Sequence, residues 1–400
     1  MPQPAHSAVG VPETDSSPRT IPVGIIMNGV TGRMGSNQHL ARSIAQIREE
    51  GGVSLPDGRR ILPEPVLVGR NADRLGELAR QHGLERWTTD LDEVLSDPAY
   101  SLYFDAQVTS RRVDAVRRAI EAGKHVYCEK PTAEGLGDAL ELARLAREAG
   151  VKNGVVMDKL FLPGMVKLAA LVRSGFFGDV LSVKGDFGYW VFDGTWGTPQ
   201  RPSWNYRRED GGSMIADMFP HWRYVLDHVI APVRSMVCQG ATQIPHRLDE
   251  QGRPYEATAD DAAYAIFELD GGVTATMSSS WNTRVNRDEL FELQVDGTRG
   301  SAVAGLRRCR IQPLEGTPRS VWNPDIPDPV DHRSGWQEQP DLETYDNGFK
   351  RQWELFLRHV VADEPFAWDL LEGARGVQLA DLAMASWEKR AWVDVPELSL

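Results

Sequence analysis

The chain has 400 residues, 41% hydrophobic and 25% charged, the balance of an ordinary globular protein with room for two domains. Its net charge of −13 argues against a nucleic-acid or anionic-membrane surface, since either partner needs a basic footprint. Cys128, Cys238 and Cys309 are far apart and odd in number, which indicates neither a disulfide framework nor a thiolate zinc site, and no His-Glu-x-x-His cluster suggests a metal.

Residues 1–20, with Pro2, Pro4, Pro12 and Pro18 among small polar residues, read as a disordered arm. No apolar run is long enough to span a membrane. Without a signal-type segment or twin-arginine pair, the expected location is the cytoplasm. From Val23 an apolar strand runs into Asn28-Gly29-Val30-Thr31-Gly32-Arg33-Met34-Gly35, and a helix is expected from Asn37 to about Ile47. Glycines allow a tight turn and close backbone approach, so the first amides of the helix can meet a pyrophosphate. The spacing is Gly-x-x-Gly-x-x-Gly rather than the usual Gly-x-Gly-x-x-Gly. Asn28, Gly29, Thr31, Gly32, Arg33, Met34 and Gly35 are the candidates for holding a dinucleotide.

Residues 51–64 read as a surface hairpin, and Pro65 to Gly69 as the second strand. An acidic residue after this strand suits the ribose hydroxyls of NAD, whereas an arginine accommodates a 2′-phosphate. Arg70 therefore favours NADP(H), with NAD(H) possible. Helices follow over Asp73–Gly83 and Leu91–Leu95, then a strand over Leu102–Val108 ending in Thr109-Ser110-Arg111, and a helix over Arg112–Ala122.

His125–Cys128 is a short β-prone run followed by Glu129-Lys130-Pro131, which puts two charged side chains at a strand's carboxyl end, where open α/β sheets bind ligands. Ala122 to Pro131 resembles the signature of the glucose-fructose oxidoreductase / inositol dehydrogenase / MocA (Gfo/Idh/MocA) family. The resemblance implies an α/β Rossmann nucleotide-binding domain followed by an α+β domain with a large open, mostly antiparallel sheet. It also implies a catalytic Lys130 beside the nicotinamide, Glu129 in the cofactor site, a Lys–Pro bond that is commonly cis, and Thr109 near the nicotinamide ribose and diphosphate. The glycine wording is also similar to the loop of dihydrodipicolinate reductase.

A helix over Ala133–Ala149 and a strand over Val151–Met157 close the nucleotide half. Asp158-Lys159 stands where family members carry an asparagine-arginine pair near the substrate, making Lys159 a candidate for holding a hydroxyl. After a helix over Gly164–Arg173, strands are expected over Val180–Val191, Val233–Thr242, Ala262–Leu269, Val273–Trp281 and Glu289–Asp296, a largely antiparallel sheet. Between them Gly211 to His221 matches the family's glycine pair and Asp-x-x-x-His element. Asp217 and His221, four apart, can share a helix face, and Pro220 suggests a helix starting close to Asp217, with Asp217 as its N-cap. His221 would then lie near the positive end of the helix dipole and stay neutral. Tyr189, Trp190, Trp196, Trp204 and Tyr206, with Asn205, Arg207 and Arg208, offer aromatic faces and donors for a sugar; Trp204 and Asn205 are the substrate candidates. Helices over Phe349–Val361 and Leu370–Arg390 close the chain.

The expected divisions are an arm at 1–20, a dinucleotide domain at 21–153, and a substrate and oligomerisation domain at 154–400 whose last helix packs back on the first domain. The implied activity is NAD(P)-dependent hydride transfer at a secondary alcohol of a sugar, glycoside or cyclic polyol, with Lys130, Asp217 and His221 catalytic. Lys130, Lys159, Trp204, Asn205, Asp217 and His221 would hold the substrate. Family habit implies a homodimer or homotetramer. Three alternatives remain: a glycosidase using bound NAD(H) for transient oxidation, a dihydrodipicolinate-reductase-like enzyme, and a non-catalytic nucleotide sensor.

Overall fold

The structure, a computed structural model, describes residues 19–188, 201–284, 289–319, 323–327, 330–342, 344 and 347–400. Most of the N-terminal arm, together with Tyr189, Trp190 and Trp196, lies outside the described residues.

A buried run at the end of β1 (Thr20–Asn28) forms the centre of a seven-stranded sheet. β1 starts at Thr20, before Val23 and inside the expected arm, because Thr20 already pairs with Arg60. The helix after the glycine turn, α1, starts at Met34 rather than Asn37. It runs with π-type hydrogen bonding over Met34–Ala45 and continues α-helically over Gln46–Glu49. Residues 51–64 do form a hairpin, β2 (Val53–Ser54) pairing antiparallel with β3 (Arg60–Val68), but Val53, Leu55 and Ile61 are buried, so it packs into the core rather than lying on the surface.

β3 begins five residues before the expected Pro65, although Pro63 and Pro65 lie within it. Its outer edge is shared by β2, at Arg60 and Ile61, and by β4 (Trp87–Thr88), at Leu67 and Val68. The N–H of Leu67 points outward to Arg86, so the missing N–H groups of Pro63 and Pro65 fall in the gap between those two partners and cost the ladder nothing.

α2 (Ala72–Gln81) and α3 (Leu91–Ser96) are capped by Asn71 and Asp90. β5 (Tyr100–Asp105), α4 (Thr109–Glu121), β6 (His125–Cys128), α5 (Leu136–Glu148) and β7 (Asn153–Val155) complete the doubly wound part, in the order β2-β3-β1-β5-β6-β7 with β4 beside β3. One face buries Ile25, Met27, Leu67, Phe104 and Tyr127 under α1 and a helix distant in sequence, α8 (Gly348–Ala362). The other buries Ile26, Val66, Tyr103 and Val126 under α3, α4 and α5.

A single-turn helix at Asp158–Phe161 leads into α6 (Pro163–Arg173) and β8 (Val180–Gly188). α7 (Met214–Val225) differs from the expectation. Its N-cap is Ser213, not Asp217, and Pro220 sits in its interior. Asp260 explains the earlier start: its backbone carbonyl accepts from Met214 N–H and its Oδ2 from Ile215 N–H at 2.8 Å, satisfying the first amides from outside the helix. An interior proline costs about 3 kcal/mol, which burial of Met214, Ile215, Met218, Phe219 and Trp222 more than offsets.

β9 (Val233–Ala241), the small hairpin β10 (His246–Leu248) and β11 (Pro254–Glu256), then β12 (Ala262–Leu269), β13 (Thr274–Ser280), β14 (Phe291–Gly297), β15 (Gly300–Ala304), β16 (Cys309–Pro313) and β17 (Gln337–Glu338) follow. After α8 and α9 (Leu370–Lys389) comes β18 (Val393–Asp394). The nine-stranded sheet runs β17-β16-β15-β14-β8-β13-β12-β9-β18, antiparallel except for β8 with β13. Its inner face buries Val183, Phe187, Ala265, Phe267, Met277 and Leu293 against α6, α7 and α9. Ala374 and Val377 of α9 also meet Ala133, just before α5, and Ala139 within it.

Candidate active site

The carboxyl ends of β1, β5 and β6 carry the residues of the first motif. Gly29 has φ +86°, and a Cβ there would lie 2.6 Å from the backbone of Ala106 and Gln107. A Cβ at Gly35 would lie 2.6 Å from the Gly29 carbonyl oxygen. These contacts require glycine and bring the α1 start against β1, the cradle a pyrophosphate needs. Thr31, Gly32, Arg33 and Met34 line its partly open rim. Arg70 is exposed directly after β3, and Gly69 packs by the Thr31 methyl, so Arg70 stands beside the glycine turn. Thr109 is the first residue of α4 and half-buried. Asn28 turns inward: its amide donates to Tyr103 Oη at 3.0 Å, Tyr103 donates to Asp105 at 2.7 Å, and Arg112 donates to Asp105 at 3.0 Å. Arg112 also donates to the Pro131 carbonyl, tying the turn after β6 to the start of α4.

The Lys130–Pro131 bond is cis. The Lys130 ammonium donates to Asp217 Oδ1 at 2.7 Å and to the Asp217 backbone carbonyl at 3.0 Å, linking the two motifs across 87 residues. Arg201 donates to Asp217 Oδ2 at 3.3 Å and to Asn205 Oδ1 at 2.9 Å, and its guanidinium lies 4.3 Å over the Trp281 ring. Burial alone would raise the Asp217 carboxyl, but the Lys130 and Arg201 cations bring it well below the usual carboxylate range. Asp217, expected to orient His221 or the substrate, here holds the Lys130 ammonium and the Arg201 guanidinium through its two carboxylate oxygens.

His221 is 4% exposed and lies two turns inside α7, so the helix start is not what keeps it neutral. Burial, followed by the charges of Lys130, Lys159 and Arg201, sets its imidazole well below the usual range. Its Nε2 is 3.2 Å from the Lys159 ammonium, and its Nδ1 is 2.6 Å from Tyr224 Oη. Tyr224 Oη also accepts from Lys159 N–H at 3.3 Å and stands 3.4 Å from Asp158 Oδ1. Lys159 is thus half-buried against His221, and desolvation lowers its ammonium pKa.

Glu129 is buried. It accepts from Lys130 N–H at 3.2 Å through one carboxylate oxygen and meets His39 Nε2 at 2.7 Å through the other. Despite the raising effect of burial, His39, Lys130 and Arg112 keep the Glu129 carboxyl below its usual range. Trp204 is 49% exposed on a short turn, Ser203–Tyr206, while Asn205 is buried and committed to Arg201 and the Pro202 carbonyl.

Sequence reasoning missed Arg201, His39, Trp353, Asp158 and Tyr224. Two of these carried a local signal: Tyr224 follows His221 by three residues on one helix face, and Asp158 adjoins Lys159. Among the described residues no group of three or more His, Cys, Asp or Glu could hold a metal, and no helix is long and apolar enough to cross a membrane.

Comparison with known proteins adds the family. An oxidoreductase family with an NAD-binding Rossmann fold matches residues 24–157, and the Gfo/Idh/MocA C-terminal domain matches residues 165–303. A D-xylose dehydrogenase of Paenarthrobacter nicotinovorans is 54% identical over 386 residues, covering 96% of this chain and 100% of that protein. A levoglucosan dehydrogenase of Pseudarthrobacter phenanthrenivorans is 21% identical over 371 residues, covering 84% and 90%. A solved structure of a levoglucosan dehydrogenase in complex with NADH and levoglucosan superposes with a TM-score of 0.76 at 21% identity, covering 95% of this chain and 100% of that one, a likeness of fold. Fold and family matches together define an NAD-binding oxidoreductase. The chain belongs to the Gfo/Idh/MocA oxidoreductase family.

Proposed function

We propose that the chain oxidises a hydroxyl-bearing ring carbon of a small sugar, with D-xylose the first candidate, and that NADP⁺ is the preferred acceptor. The observation that carries this reading is the meeting of Lys130, Asp217, Lys159 and His221 at the carboxyl end of the parallel sheet, beside the glycine turn. The resemblance of 54% to a D-xylose dehydrogenase supports the substrate class, and exposed Arg70 beside the glycine turn supports the 2′-phosphate.

A bound nicotinamide dinucleotide would supply the hydride acceptor, held by the Gly29–Gly35 turn, Thr109 and Glu129. The chain's own part is to bind the alcohol and manage its proton. Lys130, steered by Asp217, donates a hydrogen bond to the substrate oxygen. His221 takes the hydroxyl proton at Nε2, where the Lys159 ammonium now sits, so the incoming hydroxyl replaces or shares that contact. General-base help of this kind is typically worth about 10²–10⁴-fold. Asn205 acts through Arg201, and Trp204 offers an exposed face to the sugar.

The same reading includes a dinucleotide domain at 21–153, a second domain at 154–400, a cytoplasmic location and a homodimer or homotetramer. The outer face of the nine-stranded sheet would be the interface, where Tyr264 and Ile266 are each 41% exposed.

The test is nicotinamide absorbance with purified protein, a panel of pentoses, hexoses, glycosides and inositols, and NADP⁺ and NAD⁺ in parallel. D-xylose should give the fastest reduction, and NADP⁺ should outperform NAD⁺. Cofactor binding with no reduction across the panel would overturn the reading and favour a bound-cofactor glycosidase or a sensor.

A further inference from the structure

Tyr224 Oη has one proton and two lone pairs, and three partners face it: Lys159 N–H, His221 Nδ1 and Asp158 Oδ1. The backbone amide can only donate and a carboxylate can only accept. All three contacts are therefore satisfied together in just one way. Tyr224 donates to Asp158, accepts from Lys159 N–H, and accepts from an Nδ1–H on His221. The imidazole proton then sits on Nδ1, leaving a lone pair on Nε2. The Lys159 ammonium, 3.2 Å from Nε2, donates to that lone pair. Both sides of the ring thus agree on the same tautomer.

We infer that Tyr224 and Asp158 are positioning residues for His221: they hold the tautomer whose Nε2 is the base, and Asp158 offsets the positive charge His221 gains when it takes the alcohol proton. This rests on the dehydrogenase reading above. The step needs no reactant beyond the oxidised nicotinamide of that reading. The substrate O–H bond breaks, an N–H bond forms at Nε2, the O–H electron pair becomes the second C–O bond, and the C–H pair would leave as hydride to the nicotinamide. Asp158 Oδ1 lies 3.9 Å from Nδ1, and the Asp158 side chain is 15% exposed. The cations facing His221 are Lys130, Lys159 and Arg201, and the carboxylate beside its ring is Asp158, whose other oxygen lies 3.7 Å from the Lys159 ammonium; Asp217 and Glu129 act on Lys159. In so cationic a site the Asp158 carboxylate, 3.9 Å from Nδ1, favours the imidazolium.

The experiment pairs ¹⁵N NMR of histidine-labelled protein, which reads the tautomer without substrate, with kinetics of Tyr224→Phe and Asp158→Asn. Wild type should show the His221 proton on Nδ1. Tyr224→Phe should move it to Nε2 or to a mixture and lower kcat by on the order of 100-fold, with KM and dinucleotide affinity unchanged. Asp158→Asn can still accept from Tyr224 but has lost its charge. It should lower kcat and move the acid limb of the kcat–pH profile to lower pH, because the imidazolium loses its counter-charge. An Nε2–H tautomer in wild type would overturn the inference, as would wild-type kcat in Tyr224→Phe or an acid limb that stays in place in Asp158→Asn. If Tyr224→Phe does not fold, Asp158→Asn and the wild-type spectrum decide. Failure of wild type to oxidise any sugar would count against the dehydrogenase reading alone, since the tautomer is measured without turnover.

Discussion

Trp353 donates its indole N–H to Nδ1 of His39 at 3.0 Å, across 314 residues of sequence. An indole nitrogen is only ever a donor, so His39 Nδ1 must accept, and the ring's proton goes to Nε2, where it meets Glu129 at 2.7 Å. Glu129 in turn holds the backbone N–H of Lys130. His39→Leu should therefore loosen Lys130 and lower kcat by about 10-fold or more, whereas His39→Gln, whose amide can still donate to Glu129, should keep most of it. Steady-state kinetics of the two variants check this; equal losses in both would assign His39 to packing alone.

Lys130→Ala and His221→Ala should keep dinucleotide affinity, measured by quenching of tryptophan fluorescence, and lose about 10²–10⁴ in turnover. Unchanged turnover in either variant would remove that residue from the chemistry.

The Asp217 carboxyl is held below its usual range, so its ionised form stabilises the folded state. That contribution is complete above the unfolded carboxyl value of about 3.9 and is lost as pH falls from there toward the folded value. Urea midpoints should separate wild type from Asp217→Asn by a constant amount over roughly pH 5–7, and the gap should narrow below about pH 4. A gap that stays constant down to pH 3 would show that the charge of Asp217 is not its source.

Arg70→Asp should shift the kcat/KM ratio from NADP⁺ toward NAD⁺ by about 10-fold or more, because it removes a cation suited to the 2′-phosphate and supplies an acceptor for ribose hydroxyls. A ratio equal to that of wild type would place the 2′-phosphate elsewhere.

Arg247 is 2% exposed. It donates to fully buried Asp261 at 2.8 Å and lies 3.8 Å over the Tyr206 ring. Arg247→Met should cost about 3 kcal/mol in chemical denaturation, because it leaves a buried carboxylate short of a partner, and adding Asp261→Asn should recover part of that loss. A cost under about 0.5 kcal/mol would show that the amides of Gln243 and Ile244 satisfy Asp261 unaided.

The parts legible in the sequence were those whose cause is local. Gly29 and Gly35 are needed for close backbone approach, Glu129-Lys130-Pro131 ends a strand, and the apolar alternation of Ala262–Leu269 predicts its strand bounds as observed. Pro220 misled for a local reason as well: taken alone it sets a helix start near Asp217, but Asp260, brought in by the fold, satisfies the amides one turn earlier. Arg201 was not legible because the sequence around it is rich in proline and glycine and shows no periodicity, and His39 and Trp353 because nothing near either residue signals the other. β15 and β16 were passed over because short runs such as Gly300–Ala304 acquire their pairing only from neighbouring strands.

Trp353, Phe356 and Leu357 close one face of the parallel sheet whose strands end at Val155. During synthesis, some two hundred residues must therefore follow the last of those strands before that face can be sealed. Folding of the dinucleotide-binding half is thus tied to the arrival of the chain's far end, rather than finishing first as an independent unit. A fragment ending at residue 157 should accordingly bind a hydrophobic dye and melt without a cooperative transition, and a cooperative melt would break the tie.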